Sequence, residues 1–375
     1  MKYPIYQPYL TGYEKKYVDE CFDEGWISSI GKFIDKFEKA FSSYLDVDYS
    51  ITCSSGTSAL HLAMLSLGIQ NGDEVLLPSL TFVATSNAIA YCGATPVFVD
   101  SDEDTFLLNI DDLKKKITKK TKAVIAVNLY GNSCNFEALK QVCEEHSLYL
   151  IEDNAEAIGT TYKDRLVGTF GDVSCFSFYG NKTITTGEGG MVCTNNPDVA
   201  KKIRLYKGQG FVKNSLEYYT HSVVGYNYRM TNLAAAIGYA QINSIEEIIK
   251  KKKFIGNFYT SKLSTIDNIS LQKVNSDVSS TYWLFNIICK NKTERNELAL
   301  YLFENNIDSR PLFVPLNELG IYKKQKGKTP KSKKISNLVL SLPSYPELNS
   351  EDLTYITEKI YSFYLQLNKK NISNS

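Results

Sequence analysis

The chain has 375 residues, 43% of them apolar and 22% charged, with 42 basic side chains against 41 acidic ones. That is a globular composition, long enough for two or three domains and for a sizeable core without disulfide staples. A formal net charge of +1 excludes a global field that would draw the chain onto nucleic acid or an anionic membrane, so any anion site has to be local.

The opening MKYPIYQPYL has no apolar stretch of the secretory kind, and residues 12–45 read as helical. Short apolar, β-branched runs then recur at 74–77, 95–99, 122–127, 148–151, 173–177 and 190–194. Helix-period segments lie between several of them, near 57–68, 83–92, 110–117 and 135–146. Strand alternating with helix predicts an α/β fold whose mostly parallel sheet places ligands at the carboxyl ends of its strands. Residues 75–99 carry no charge over 25 positions, enough to span a bilayer, but Pro78, Asn87, Gly93 and Pro96 divide them into strand, helix and strand. They read as the buried middle of the sheet. Beyond about residue 243 come a long charged helix (244–264), a strand (281–289), a helix (292–304) and a terminal helix (351–366). This change of texture predicts a large α/β domain over 1–243 and a smaller α+β domain over 244–375. Of the two lysine runs, 250–253 and the seven lysines between 323 and 334, the second reads as a solvated loop rather than a phosphate clamp, because Gly327 and Pro330 interrupt it.

Eight cysteines without a CxxC pair or metal-ligand spacing read as reduced core residues of a cytoplasmic protein with no metal site. The chemistry-bearing candidates lie elsewhere. Asp153 follows the run at 148–151 and should project from a strand's carboxyl end, where a carboxylate needs a positive partner. Taken alone it reads equally well as a structural or capping aspartate. Lys182, twenty-nine residues on, lies among small and hydroxyl residues between two strands. As a pair the two point to a Schiff-base site, with the lysine holding an aldehyde cofactor and the aspartate keeping a pyridine nitrogen protonated. Ser54-Ser-Gly-Thr-Ser-Ala-Leu-His61 adds a small-residue turn that opens a helix, a place for a phosphate as well as an ordinary N-cap. His61 itself reads as a packed histidine.

Seven blocks in chain order then carry a resemblance: WISSIGKFIDKFE (26–38), SSGTSALHLA (54–63), GDEVLLPSLTFVATSNAI (72–89), GATPVFVD (93–100), IEDNAEAIG (151–159), GTFGDVSCFSFYGNKTITTGEGGMV (168–192) and GYNYRMTNLAAAIG (225–238). Over nearly its whole length the chain resembles the sugar aminotransferases of the DegT/DnrJ/EryC1/StrS family, which depend on pyridoxal 5'-phosphate (PLP) and have the aspartate aminotransferase-like fold type I. Within the family it looks most like the branch that aminates C4 of GDP-4-keto-6-deoxymannose. The resemblance implies that Lys182 is the Schiff-base lysine and proton shuttle, Asp153 the pyridinium partner and Glu156 the neighbour of the phenolic oxygen. It further implies that Gly56, Thr57 and Ser177 cradle the phosphate and that Phe82 stacks on the ring. Asn227 would reach the phosphate from a neighbouring subunit, making a homodimer with shared active sites the working unit. The implied reaction is ping-pong, from glutamate through pyridoxamine phosphate to a keto sugar nucleotide, in surface polysaccharide biosynthesis; the alternative acceptors are a UDP- or dTDP-linked keto sugar or a small ketose phosphate such as dihydroxyacetone phosphate. Arg229 is a candidate for a substrate phosphate or carboxylate. Asn128 and Asn317 stand where many relatives have histidine, so at the acceptor they would mark a changed pocket.

Overall fold

A computed structural model of the chain describes residues 1–212, 219–325 and 327–373. Two helices, α1 (Tyr13–Asp23) and α2 (Lys32–Leu45), fill the expected 12–45 segment, parted by a turn that contains Gly25 and Gly31. At Gly31 a side chain would collide with Asn232, whose amide donates to the Trp26 carbonyl and whose Oδ1 accepts the Phe33 N–H.

The principal sheet has seven strands: β1 (Tyr49–Cys53), β2 (Glu74–Pro78), β3 (Thr95–Val99), β4 (Thr121–Val127), β5 (Tyr149–Asp153), β6 (Val173–Ser177) and β7 (Gly190–Thr194). Their spatial order is β1-β7-β6-β5-β4-β2-β3, parallel from β3 through β6, with β7 and β1 antiparallel at the far edge. The central strands are buried on both faces, which is why they read as unbroken apolar runs rather than alternating ones. Helices α3 (Gly56–Ser66), α4 (Val83–Tyr91), α5 (Ile110–Lys116) and α6 (Phe136–His146) return the chain between strands. Three more helices follow β7: α7 (Pro197–Lys207), α8 (Asn232–Asn243) and α9 (Ile245–Leu263). Sequence periodicity had marked neither α7 nor α8, nor strand β1.

A second, antiparallel sheet is built from β8 (Ser270–Leu271), β9 (Phe285–Ile288), β10 (Arg310–Pro311) and β11 (Val339–Leu342), in the order β8-β9-β11-β10. Helices α10 (Lys292–Glu304), α11 (Pro330–Leu338) and α12 (Ser350–Ser373) accompany it. Its core is separate, with Tyr259 and Leu263 of α9 packed with Phe285, Ile287, Leu340 and Leu342. The lysine-rich stretch departs from the loop expectation. Pro330 opens a helix instead of breaking one, since its missing N–H falls where a helix leaves N–H groups unpaired anyway. The carboxylate of Asp100 caps that start by accepting from the Lys331 and Ser332 N–H groups. Lys333 and Lys334 pair with Glu318 and Glu103, while Lys326 lies outside the described residues. No described helix is long and apolar enough to cross a membrane.

Candidate active site

The carboxyl ends of β4, β5 and β6 open into a cleft of about 340 Å³, closed on the other side by residues from 283 to 341. Gly56, Thr57, Phe82, Asp153, Glu156, Ser177 and Lys182 all line it, so one cavity gathers seven residues spread over 127 positions of sequence.

Each is set by its local structure. Ser55 caps α3 through a reciprocal pair of bonds with Ser58, at 3.1 Å from the Ser58 N–H and 2.9 Å back from the Ser55 N–H. This capping box holds the turn open at the first two helical positions. The N–H groups of Gly56 and Thr57 have no acceptor among the described residues, and the Ser177 hydroxyl stands beside them. A Cβ on Gly56 would come within 2.7 Å of Ser177 Cβ, so glycine is required for that approach. Free N–H donors at a helix start, a serine hydroxyl and small residues form a cradle for phosphate.

Asp153 is the last residue of β5 and is buried, accepting at 2.8 Å from Thr85 Oγ1 and at 3.2 Å from the Ala155 N–H. Burial pushes its carboxyl above the usual range, against the pull of those two donors and of Lys182. A buried carboxylate that faces a cleft with an unfilled need for positive charge fits a protonated pyridine nitrogen. Glu156 is likewise buried and raised by burial, countered by Lys182 and by the Tyr130 N–H, which donates to it at 2.9 Å. Its Oε1 lies 3.6 Å from Lys182 Nζ. Phe82, the residue before α4, lines the cleft with its side chain exposed. Phosphate cradle, ring-nitrogen partner, ring platform and amine thus match PLP part for part.

Asn227 and Arg229 are exposed, joined to each other at 2.8 Å, and do not line this cleft. Their segment is tied beside the phosphate turn, where the Ser54 N–H donates to the Tyr228 carbonyl. Asn317 does not line this cleft: its Oδ1 accepts from Ser79 and Thr329, and its amide donates to the Gly327 carbonyl. Asn128 is buried between Asn154 and the Cys134 N–H, equally away from the cavity. His61 is packed as expected, its Nδ1 3.2 Å from the Tyr228 hydroxyl. Among the described residues no cluster of His, Cys, Asp or Glu is arranged to hold a metal.

Several lining residues carried no sequence signal. Tyr130, Trp283 and Phe313 form a stacked wall, with centroids 5.8 and 5.9 Å apart. Arg310, on β10, brings a guanidinium to the cleft that has no carboxylate partner among the described residues. All four come from outside the motif blocks.

Comparison with known proteins agrees with this geometry. Residues 8–361 match the model of the DegT/DnrJ/EryC1/StrS aminotransferase family. The chain is 47% identical to a GDP-perosamine synthase of Escherichia coli O157:H7 over 365 residues, 97% of this chain and 99% of that one. Among solved structures it is similar to the aminotransferase TlmJ of Streptoalloteichus hindustanus (TM-score 0.93, 29% identity, 98% and 100% covered). It is also similar to a Streptococcus pneumoniae protein solved in its PLP-form (TM-score 0.92, 28% identity, 97% and 98% covered). The chain belongs to the DegT/DnrJ/EryC1/StrS aminotransferase family and is a PLP-dependent transaminase with that family's α/β fold.

Proposed function

We propose that the protein moves the amino group of an amino acid, glutamate in the first instance, to C4 of GDP-4-keto-6-deoxymannose, a step that supplies an amino sugar for surface polysaccharide. The observation that carries this reading is 47% identity, along 97% of the chain, to a protein named GDP-perosamine synthase, supported by a cleft lined by Gly56, Asp153, Ser177 and Lys182.

Gly56, Thr57 and Ser177 would hold the PLP phosphate, Asp153 its ring nitrogen, Phe82 one ring face and Lys182 its aldehyde carbon. When bound, PLP supplies an electron sink for the charge left on an amino-bearing carbon as its proton departs. The protein's own part is to place acids and bases. Asp153 contributes a fixed negative charge in a water-poor site, where it weighs more than in bulk solvent. Lys182 Nζ, once uncombined, is the base that takes the substrate's proton and returns it on the other side of the reaction. Glu156, whose Oε1 lies 3.6 Å from that amine, adds negative charge beside it and would neighbour the phenolic oxygen of PLP. Arg310 offers a charged fork to the carboxylate of the donor or the diphosphate of the acceptor.

The reading extends to organisation. The chain divides at 243/244 into the PLP-binding part and a smaller one, works in the cytoplasm and pairs as a homodimer in which Asn227 and Arg229 enter the neighbouring cleft. Their exposed, mutually bonded side chains at the edge of the phosphate turn support that arrangement.

A single-turnover acceptor screen tests the substrate. The enzyme is converted to its pyridoxamine form with glutamate, freed of donor and offered candidate ketones while the visible band of the PLP form is followed. GDP-4-keto-6-deoxymannose should restore the band fastest; inertness toward it, with rapid return on a UDP- or dTDP-linked keto sugar, would reject the assignment.

A further inference from the structure

The loop that carries Lys182 is gripped from two distant parts of the chain. The indole N–H of Trp283 donates at 2.7 Å to the Asn181 carbonyl, and the Tyr6 hydroxyl donates to the carbonyl of Lys182 itself. Trp283 does more than hold the backbone. Lys182 Nζ rests 4.0 Å from the centroid of its ring, so the amine lies between an indole face and the Glu156 carboxylate.

Trp283 is itself fixed on several sides. It is buried, its backbone N–H donates to the Tyr130 carbonyl at 3.1 Å, and its ring stacks on Tyr130 at an interplanar angle of 20°. Its carbonyl accepts at 2.9 Å from Lys252 Nζ, which also donates to the Ser344 carbonyl and lies over the Tyr6 ring. Both grips on residues 181–182 therefore converge on one buried lysine of α9. A side chain with this many constraints has a single pose available, and that pose is directed at the amine.

We propose that Trp283, assisted by Tyr6, is a positioning residue for Lys182. Its N–H sets the backbone at Asn181, and its ring face holds the uncombined amine at the cleft, in reach of Glu156, between its two proton transfers. The proposal rests on Lys182 being the Schiff-base lysine and adds what keeps it in place once released.

The test uses Trp283→Phe, which keeps a ring face and loses the N–H, Trp283→Leu, which loses both, and Tyr6→Phe. Two readouts come from cofactor-free protein. The first is the rate at which Lys182 is acetylated, measured by mass spectrometry against surface lysines; it should rise several-fold in Trp283→Leu. The second uses the fact that the chain has only two tryptophans, Trp26 and Trp283, so that a Trp26→Phe protein reports Trp283 emission alone. Adding Lys182→Met should then change that emission. In the loaded enzyme, the donor half-reaction should slow about 10-fold in Trp283→Phe and about 100-fold in Trp283→Leu, with the KM for glutamate within twofold. A folded Trp283→Leu protein with wild-type acetylation at Lys182 and wild-type kcat would overturn the proposal. Should that variant not fold, unchanged Trp283 emission on Lys182→Met and unchanged kcat in Tyr6→Phe and Trp283→Phe would overturn it instead. Failure of wild-type protein to form the PLP band would overturn the functional reading, whereas the cofactor-free readouts judge the positioning alone.

Discussion

Lys182, on the floor of the cleft, and Lys252, in the seam between α9 and the four-stranded sheet, are both withdrawn from water, and their surroundings differ in kind. Glu156 stands 3.6 Å from Lys182, Asp153 adds negative charge, and the cleft gives the amine an open side. Around Lys252 there are carbonyls and the Tyr6 ring but, among the described residues, no carboxylate within bonding distance, and burial lowers its pKa to about 7. Burial by itself thus yields a structural amine that ties strands together. Under the proposed function, what makes a reagent of the other is company: an acid, a turn with free N–H groups and room for a substrate.

Four experiments would break or sharpen that contrast. The largest effect is expected from Lys182→Ala, which should slow the glutamate half-reaction by more than about a thousandfold, while Lys252→Met stays within about tenfold of wild type. Stopped-flow absorbance of the loaded enzymes decides it, and a comparable loss in both variants would erase the distinction.

A third lysine largely withdrawn from water, Lys207, has a carboxylate for company. Burial pulls its pKa down and Glu38, 3.4 Å away, pulls it back, while Glu38 also accepts from the Thr52 N–H and hydroxyl just before the phosphate turn. Glu38→Gln strands that ammonium and should cost about 3 kcal/mol in urea unfolding. An unchanged unfolding midpoint would show that Lys207 needs no partner.

Asp153→Asn should weaken PLP binding by about 30-fold, measured by absorbance titration, without lowering the melting temperature of the cofactor-free protein. The raised pKa of Asp153 means that the fold penalises its ionised form; that penalty is present above the folded pKa, fades as pH falls through it, and is absent in asparagine. A melting temperature that drops would mean that the carboxylate serves the fold rather than the cofactor.

The smallest effect is a slope. Between pH 7 and 10.5 the unfolded chain holds a proton on residue 252 that the folded chain releases, so wild-type stability should rise with pH relative to Lys252→Met, by up to about 1.4 kcal/mol per unit. Below pH 7 the two should run parallel. Parallel curves across pH 7 to 9 would mean that Lys252 is charged in the fold.

How much of this was legible in sequence follows from how local each signal is. The Ser54–His61 turn, Asp153 at a strand end and Lys182 each sit on one strand, turn or helix start, so a few neighbouring residues define them. Trp283, Phe313 and Arg310 reach the cleft only through the packing of the second sheet onto the first, and no spacing encodes that; Tyr130, three residues past β4, meets them by stacking on Trp283 and Phe313. Lys252 shows the same limit in small. Four consecutive lysines on α9 point in four directions about the helix, and only the fold decides which one turns inward. The place of Asn317 was illegible for a related reason. Its neighbours in sequence fix a turn, but its partners Ser79 and Thr329 are set by tertiary contact.

The most direct test of the central claim asks which lysine carries the cofactor. The PLP-loaded protein is reduced with borohydride, digested and mapped by mass spectrometry. A pyridoxyl group is expected on the peptide that contains Lys182 and on no other; a label at Lys252, or one spread over surface lysines with Lys182 unmodified, would refute the assignment of Lys182.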